Sequence, residues 1–250
     1  MIENQNDWLF ASDLDDTLLG NEDALGRLAQ ALKHTTNHLV IAYNSSRPCA
    51  SQRKSLAEHV NLPQPDYLIG ALGTEIESMK PGGSIKDYTR HFRENWNRDE
   101  IVKILRELLG FPPHDDQYQT EFKASFDVPG HCGYQAVMER LKQSGLDVRV
   151  IFSGEKNLDI IPQNIDKGKA VELLRQALGI DAEQVIVAGD SGNDRDMFLR
   201  EFKGIVVGNA DAQLKSLSGP NIYHARGAHA DGVLEGLQHW GVVPLQSSNK

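Results

Sequence analysis

Apolar runs too short to be ordinary helices recur along this chain, and each ends in a small or polar cluster. Trp8-Leu9-Phe10-Ala11-Ser12 leads into Asp13-Leu14-Asp15-Asp16-Thr17, and Leu39-Val40-Ile41-Ala42-Tyr43 leads into Asn44-Ser45-Ser46-Arg47. Residues 67–72 end at Gly73-Thr74, residues 185–188 at Gly189-Asp190, and residues 204–207 at Gly208-Asn209. Runs that are apolar throughout, without alternation, are strands buried on both faces. Between them lie helical periods over residues 21–33, 48–59, 167–178 and 230–240, with Pro48 in a position that a first helical turn tolerates. Strands alternating with helices predict an α/β fold built on a doubly wound, mostly parallel sheet.

The rhythm breaks at Met79-Lys80-Pro81-Gly82-Gly83-Ser84, a turn-rich joint. Residues 80–161 are more polar and aromatic, with helices expected over 98–109 and 132–144 and strands over 122–127, 147–153 and 157–161. The expected organisation is therefore a core from 1–79 and 162–250, interrupted by an inserted α+β cap domain at 80–161. Ligands of open parallel sheets gather outside the C-terminal strand ends. The polar clusters sit at those ends, and the insertion would cover them.

Composition narrows the function classes. Hydrophobic residues at 40% and charged residues at 24% fit a soluble globular protein. A formal net charge of −9 disfavours nucleic acid as partner, because binding there needs a basic face. A local cationic cluster can still receive a small anion. No window approaches a membrane helix, and Met1-Ile2-Glu3-Asn4 does not open a signal peptide. Two distant cysteines, Cys49 and Cys132, give no disulfide framework, so a reducing cytoplasm is expected. Little exposed apolar surface is foreseen, which leans toward a monomer.

The clusters carry complementary chemistry. Asp13 and Asp15 are at i and i+2, so an extended chain would turn both toward one reacting centre. One carboxylate can attack phosphorus to give an acyl phosphate, while the other protonates the leaving oxygen and later activates water. Asp190 and Asp194 could complete a hard-oxygen Mg²⁺ site, although Gly189-Asp190-Ser191-Gly192-Asn193-Asp194 also reads as a turn before an Asp-capped helix. Ser45 offers a hydroxyl to a phosphoryl oxygen, or simply an N-cap. Lys167 can neutralise the carboxylates and the phosphoryl charge. Lys169 reads as the surface lysine of Lys167-Gly168-Lys169.

Together these four fragments resemble the haloacid dehalogenase-like phosphatase superfamily, whose Rossmann-like core fits residues 1–78 and 162–245. The resemblance implies that Asp13 is the nucleophile and Asp15 the general acid/base. It makes Ser45 the phosphate-binding hydroxyl and Lys167 the charge-stabilising lysine. Mg²⁺ would be held by Asp13, the Asp15 carbonyl and Asp190, with Asp194 as ligand or neighbour. Ser46, Arg47 and Asn193 join the substrate-facing set. Where the superfamily often has Thr/Ser-Gly-Arg, this chain has Ser45-Ser46-Arg47, which changes the loop but keeps the hydroxyl.

The insertion resembles the Cof-type caps, and the whole chain is similar to sucrose-phosphate and mannosylfructose-phosphate phosphatases. The stretches concerned include Pro65-Asp66-Tyr67, Gly73-Thr74-Glu75-Ile76, Val150-Ile151-Phe152-Ser153, Asp159-Ile160-Ile161-Pro162, Asp231-Gly232-Val233 and His239-Trp240-Gly241. That likeness implies hydrolysis of a fructose-containing disaccharide phosphate, with sucrose 6-phosphate first and mannosylfructose phosphate as alternative. Lys123, Ser125, Asp159 and Gln163 are the candidate sugar contacts, Lys123 and Ser125 alternating on one strand. On the bland reading they are solvated polar residues of a half-exposed sheet. A non-catalytic phosphosugar-binding module is the other class, disfavoured because a pure binder needs no acidic pair.

Overall fold

The computed structural model describes residues 7–245 except 36, 37, 82, 84, 111, 154 and 155. The first part of the chain runs β1 (Trp8–Ser12), α1 (Glu22–Leu32), β2 (Leu39–Asn44), α2 (Cys49–Glu58), β3 (Tyr67–Gly70) and β4 (Glu75–Ser78). Next come α3 (Arg98–Leu109), β5 (Ala124–Asp127), α4 (Gly130–Ser144), β6 (Val148–Ser153) and β7 (Asn157–Pro162). The last part holds α5 (Lys167–Leu178), β8 (Val185–Gly189), α6 (Arg195–Phe198), β9 (Lys203–Val206), α7 (Ala212–Lys215), β10 (Ile222–His224) and α8 (His229–His239).

Seven strands form one sheet in the order β10-β9-β8-β1-β2-β3-β4. All its pairings are parallel except β3 with β4. The central strands are the apolar runs: Leu9, Phe10, Ala11 and every residue from Val185 to Ala188 are buried. α1 packs on α8 and α5 on α6, which covers the apolar strands as a parallel sheet requires. Side-chain caps start α1 and α5: Asn21 accepts from the Ala24 N–H and Asp166 from the Lys169 N–H.

β5, β7 and β6 form a separate antiparallel sheet in that order. Its own apolar cluster joins Ile101, Ile104 and Leu105 of α3 to Val137 and Leu141 of α4 and to Phe126, Leu158 and Ile160. Hence the polar middle segment still builds a core, but a small one.

Strands β3, β4 and β10 depart furthest from the sequence reading. β3 stops at Gly70 because Ala71 and Leu72 take left-handed φ values of 50° and 61°. The chain thereby reverses into β4, a hairpin strand hidden in the polar Glu75-Ile76-Glu77. β10 is only three residues long and gives no periodic signal. The reversal also brings Gly73, at φ +96°, against the Asp166 carbonyl, 2.5 Å from where a Cβ would stand. Only glycine allows that approach, and it seats the start of α5 beside the end of β3.

Candidate active site

Asp13 is the first residue beyond β1, and its N–H donates to the Ala188 carbonyl of the neighbouring β8 at 3.0 Å. The start of α5 places Lys167 opposite, where its Nζ donates to Asp13 Oδ1 and to Asp194 Oδ1, each at 2.7 Å. The Lys167 side chain is 1% exposed and that of Asp194 0%. The other Asp194 oxygen accepts from the backbone N–H groups of Asp190 (3.0 Å) and Ser191 (3.2 Å). Asp194 is thus both the capping carboxylate of the bland reading and a partner of the buried lysine. Asp190 extends from the end of β8, and Thr17 Oγ1 donates to its Oδ1 at 2.9 Å.

Asp13, Asp190 and Asp194 each offer an oxygen within 4.8 Å of the others. Burial drives the Asp13 carboxyl well up; Lys167 opposes this, and Asp194 and Asp190 add repulsion. Burial, then the charge of Asp194, pushes Asp190 up to about 7. Burial alone would lower Lys167, but Asp13 and Asp194 outweigh it and hold the ammonium charged. Three carboxylates facing one ammonium leave excess negative charge in a dry place. Such a donor set of hard oxygens fits a small divalent cation.

Asp15 goes elsewhere. β1 has already ended, so the period of two no longer applies, and Asp15 is an exposed side chain 2.9 Å from Arg47 Nε. The next residue, Asp16, has φ 58°, and its carbonyl accepts from Asn209 Nδ2 at 2.7 Å and contacts His229 Nδ1 at 3.0 Å. That anchorage of the loop was not foreseen, since Asn209 and His229 carry no local signal.

Ser45 is buried at the end of β2, and its Oγ accepts from the Arg47 N–H at 3.1 Å. It is not the cap of α2: Pro48 holds that position, without a side-chain bond. Asn44, also unforeseen, donates to the Lys167 carbonyl at 2.9 Å and ties β2 to α5. Lys169 is half-buried, and its N–H donates to Asp166 Oδ1 at 2.6 Å.

A cavity of about 680 Å³ opens beside this centre, lined by Ser46 and Arg47 on one side and by Lys123, Ser125 and Asp159 on the other. Ser125 and Asp159 are direct cross-strand partners on β5 and β7, and Ser125 Oγ donates to Asp159 Oδ1. Lys123 precedes β5 and is 4% exposed; its Nζ donates to the Ser46 carbonyl at 3.0 Å and lies 3.2 Å from Asp159 Oδ1. His114 and Asp127, paired at 3.0 Å, line the same cavity and went unnoticed in the sequence. Gln163 is not brought to it. This residue lies beyond the end of β7, on a different groove with Tyr134 and Met138. Asn193 lines a third cavity, between Ile151–Ser153 and residues 191–193, and its buried Oδ1 has no partner among the described residues.

With this geometry in view, the chain matches the family model for sucrose-6F-phosphate phosphohydrolase over residues 6–241. It is 34% identical to the mannosylfructose-phosphate phosphatase of Agrobacterium fabrum, covering 94% of this chain and 98% of that one. It is 28% identical to sucrose-phosphatase 1 of Nicotiana tabacum, where it spans 60% of the relative's length. The structure of the sucrose-phosphatase from a Synechocystis species, in complex with sucrose and phosphate, superimposes with TM-score 0.85 at 32% identity. That match covers 94% of this chain and 98% of the other. A haloacid dehalogenase-like hydrolase from Bacillus subtilis shares the fold, with TM-score 0.66 at 17% identity over 93% of this chain and 91% of its own.

Proposed function

The chain belongs to the sucrose-6F-phosphate phosphohydrolase family and is a phosphoric monoester hydrolase, and from that premise we propose that it dephosphorylates a fructose-containing disaccharide phosphate, sucrose 6-phosphate first. The observation that carries the reading is the buried Asp13–Lys167–Asp194 triad beside a polar cavity large enough for a disaccharide. Mannosylfructose phosphate is the second substrate, favoured by the full-length match to the Agrobacterium enzyme.

Asp13 attacks phosphorus in line; the phosphorus–sugar-oxygen bond breaks as the Asp13–phosphorus bond forms. Asp15 gives the leaving sugar oxygen its proton, then takes one from the water that attacks the acyl phosphate. Its pairing with Arg47 keeps that carboxyl at the cavity side of the loop. Lys167 stays charged and offsets the negative charge that gathers on the phosphoryl oxygens. Ser45 and the N–H groups around it receive those oxygens.

Mg²⁺ would be held by Asp13, the Asp15 carbonyl and Asp190, with Asp194 alongside, and when bound it would screen Asp13 from the anionic phosphate. Residues 80–161 act as the cap: they carry a sheet and apolar cluster of their own and furnish most of the cavity lining. Lys123, Ser125 and Asp159 are its sugar contacts. The chain works as a monomer in the cytoplasm, which suits its two unpaired cysteines.

Phosphate release from sucrose 6-phosphate, mannosylfructose phosphate, glucosylglycerate phosphate and trehalose 6-phosphate, with and without Mg²⁺, tests the reading. The two fructose-containing esters should be hydrolysed fastest, only with Mg²⁺, and not at all by Asp13→Asn. Equal rates across the panel would overturn the substrate, and near-normal turnover by Asp13→Asn would overturn the mechanism.

A further inference from the structure

Four charged side chains that the chemistry does not use meet where the three-stranded sheet approaches α5 and α6. Arg149 lies on β6, opposite Ile161 of β7. Its Nη1 donates to Asp196 Oδ2 at 2.7 Å, and its Nη2 is 3.3 Å from Asp166 Oδ2. Arg200 stands 3.6 Å from the other Asp166 oxygen. The Asp166 side chain is 10% exposed, and those of Arg149 and Asp196 are 30% and 32% exposed, so water screens these pairs only in part.

Both carboxylates sit on segments locked into the main core. Asp166 caps α5, and its carbonyl presses on Gly73. The carbonyl of Asp196 lies 2.2 Å from where a Cβ on Gly168 would stand, so α6 and α5 touch backbone to backbone. Arg149, by contrast, comes from the sheet that supplies the far wall of the substrate cavity. Two residues along β6, Ile151 is the cross-strand partner of Asp159. The same sheet is tied to the core a second time, inside the cavity, by Lys123 on the Ser46 carbonyl. Phe122, Ile151 and Ile161 also pack against the main apolar cluster, so the Arg149 bridge adds a directional polar tie to apolar contacts that can slide.

We propose that Arg149 is a positioning residue: bridging Asp166 and Asp196, it fixes the three-stranded sheet over the catalytic face and so sets affinity for the sugar-bearing part of the substrate. This rests on the disaccharide-phosphate reading above. A guanidinium spans two carboxylates where an ammonium reaches one. The chemistry at Asp13 does not involve Arg149, so a small ester that leaves the cavity empty should not sense its loss.

The test compares sucrose 6-phosphate with p-nitrophenyl phosphate in the full-length enzyme. Arg149→Ala should raise KM for the disaccharide phosphate roughly tenfold, the scale of one charge-assisted hydrogen bond. Its kcat on that substrate, and kcat/KM for p-nitrophenyl phosphate, should stay within about twofold, the latter also reporting that the variant is folded. Arg149→Lys should recover part of the KM loss, and Arg200→Ala, on the core side only, should change neither substrate. Equal losses on both substrates would overturn the inference, as would an unchanged preference in Arg149→Ala. Wild-type enzyme with no preference for the disaccharide phosphate would overturn the substrate reading, and this inference with it.

Discussion

Removing the Lys167 ammonium is the sharpest probe of the buried centre. Lys167→Met keeps most of the side-chain volume but leaves Asp13 and Asp194 without the group that bridges them at 2.7 Å. Removing one partner of a buried ion pair costs about 3–5 kcal/mol, because the remaining charge is stranded in low dielectric. Two carboxylates are stranded here, so the upper part of that range applies. For a chain of this size each kcal/mol moves Tm by about 2–4 °C, which gives a drop of roughly 8–20 °C near neutral pH in EDTA. The pH dependence has a definite sign. Asp13 already titrates above its unfolded value through burial, and losing Lys167 removes the chief influence holding it down. Raised folded carboxyl groups lose stability as pH climbs from about 4 through their folded values, so the gap between variant and wild type should narrow at about pH 5. Differential scanning fluorimetry at both pH values reads this directly. Added Mg²⁺ should restore part of the lost Tm by supplying positive charge to the same carboxylates. A variant that melts with wild type near neutral pH, or is as far below it at about pH 5, would refute the electrostatic reasoning.

Two further predictions concern metal and sugar. Burial puts Asp190 at about 7, so below that value a proton must leave before a cation binds. Apparent Mg²⁺ affinity should therefore climb with pH and level off above about 7, with protons released to buffer in calorimetry at about pH 6; binding there without proton release would contradict it. The metal-free protein should also lose stability between about pH 4 and 7, a slope that Asp190→Asn should flatten. Lys123→Met should raise KM for the disaccharide phosphate roughly tenfold by removing a buried charged contact with the cavity wall, whereas Gln163→Ala should not. Equal effects of the two substitutions would show that the cavity has been assigned to the wrong residues.

What could be read from sequence and what could not divide along a physical line. Asp13, Ser45 and Asp190 were legible because each follows a buried strand at once, and a parallel sheet brings its C-terminal strand ends together. Lys167 stood out only through the company of the other fragments and the resemblance; the structure has it open α5, beside its cap Asp166. The period-two argument paired Lys123 with Ser125 on one strand; both line the cavity, but β5 begins only at Ala124 and Lys123 precedes it. For Asp15 it gave out, since that residue lies three positions beyond Ser12 and turns to Arg47; Gln163, named only as a polar candidate, lies beyond Pro162 and leaves the cavity. Nothing local announces the β3–β4 hairpin either, since its reversal needs left-handed backbone at Ala71 and Leu72, residues that rarely adopt it.

The same line explains why chemistry and specificity differ in how well they can be read. Asp13 and Asp190 directly follow strands whose position is dictated by burial, so their meeting follows from topology. The cavity wall is made by residues at 112–127 and 153–159, brought to Ser46 and Arg47 from a second sheet with its own core. Where that sheet stands relative to the first is not set by any apolar period. A few long polar side chains, Lys123 on Ser46 and Arg149 on Asp166 and Asp196, join it to the core beside the apolar packing of Phe122, Ile151 and Ile161. Such contacts join residues far apart in sequence. On this view a single substitution at either tie can alter which sugar is accepted while Asp13, Lys167 and Asp194 stay in place. Substrate range in a fold of this kind then changes more readily through the contacts that orient the second sheet than through the catalytic centre.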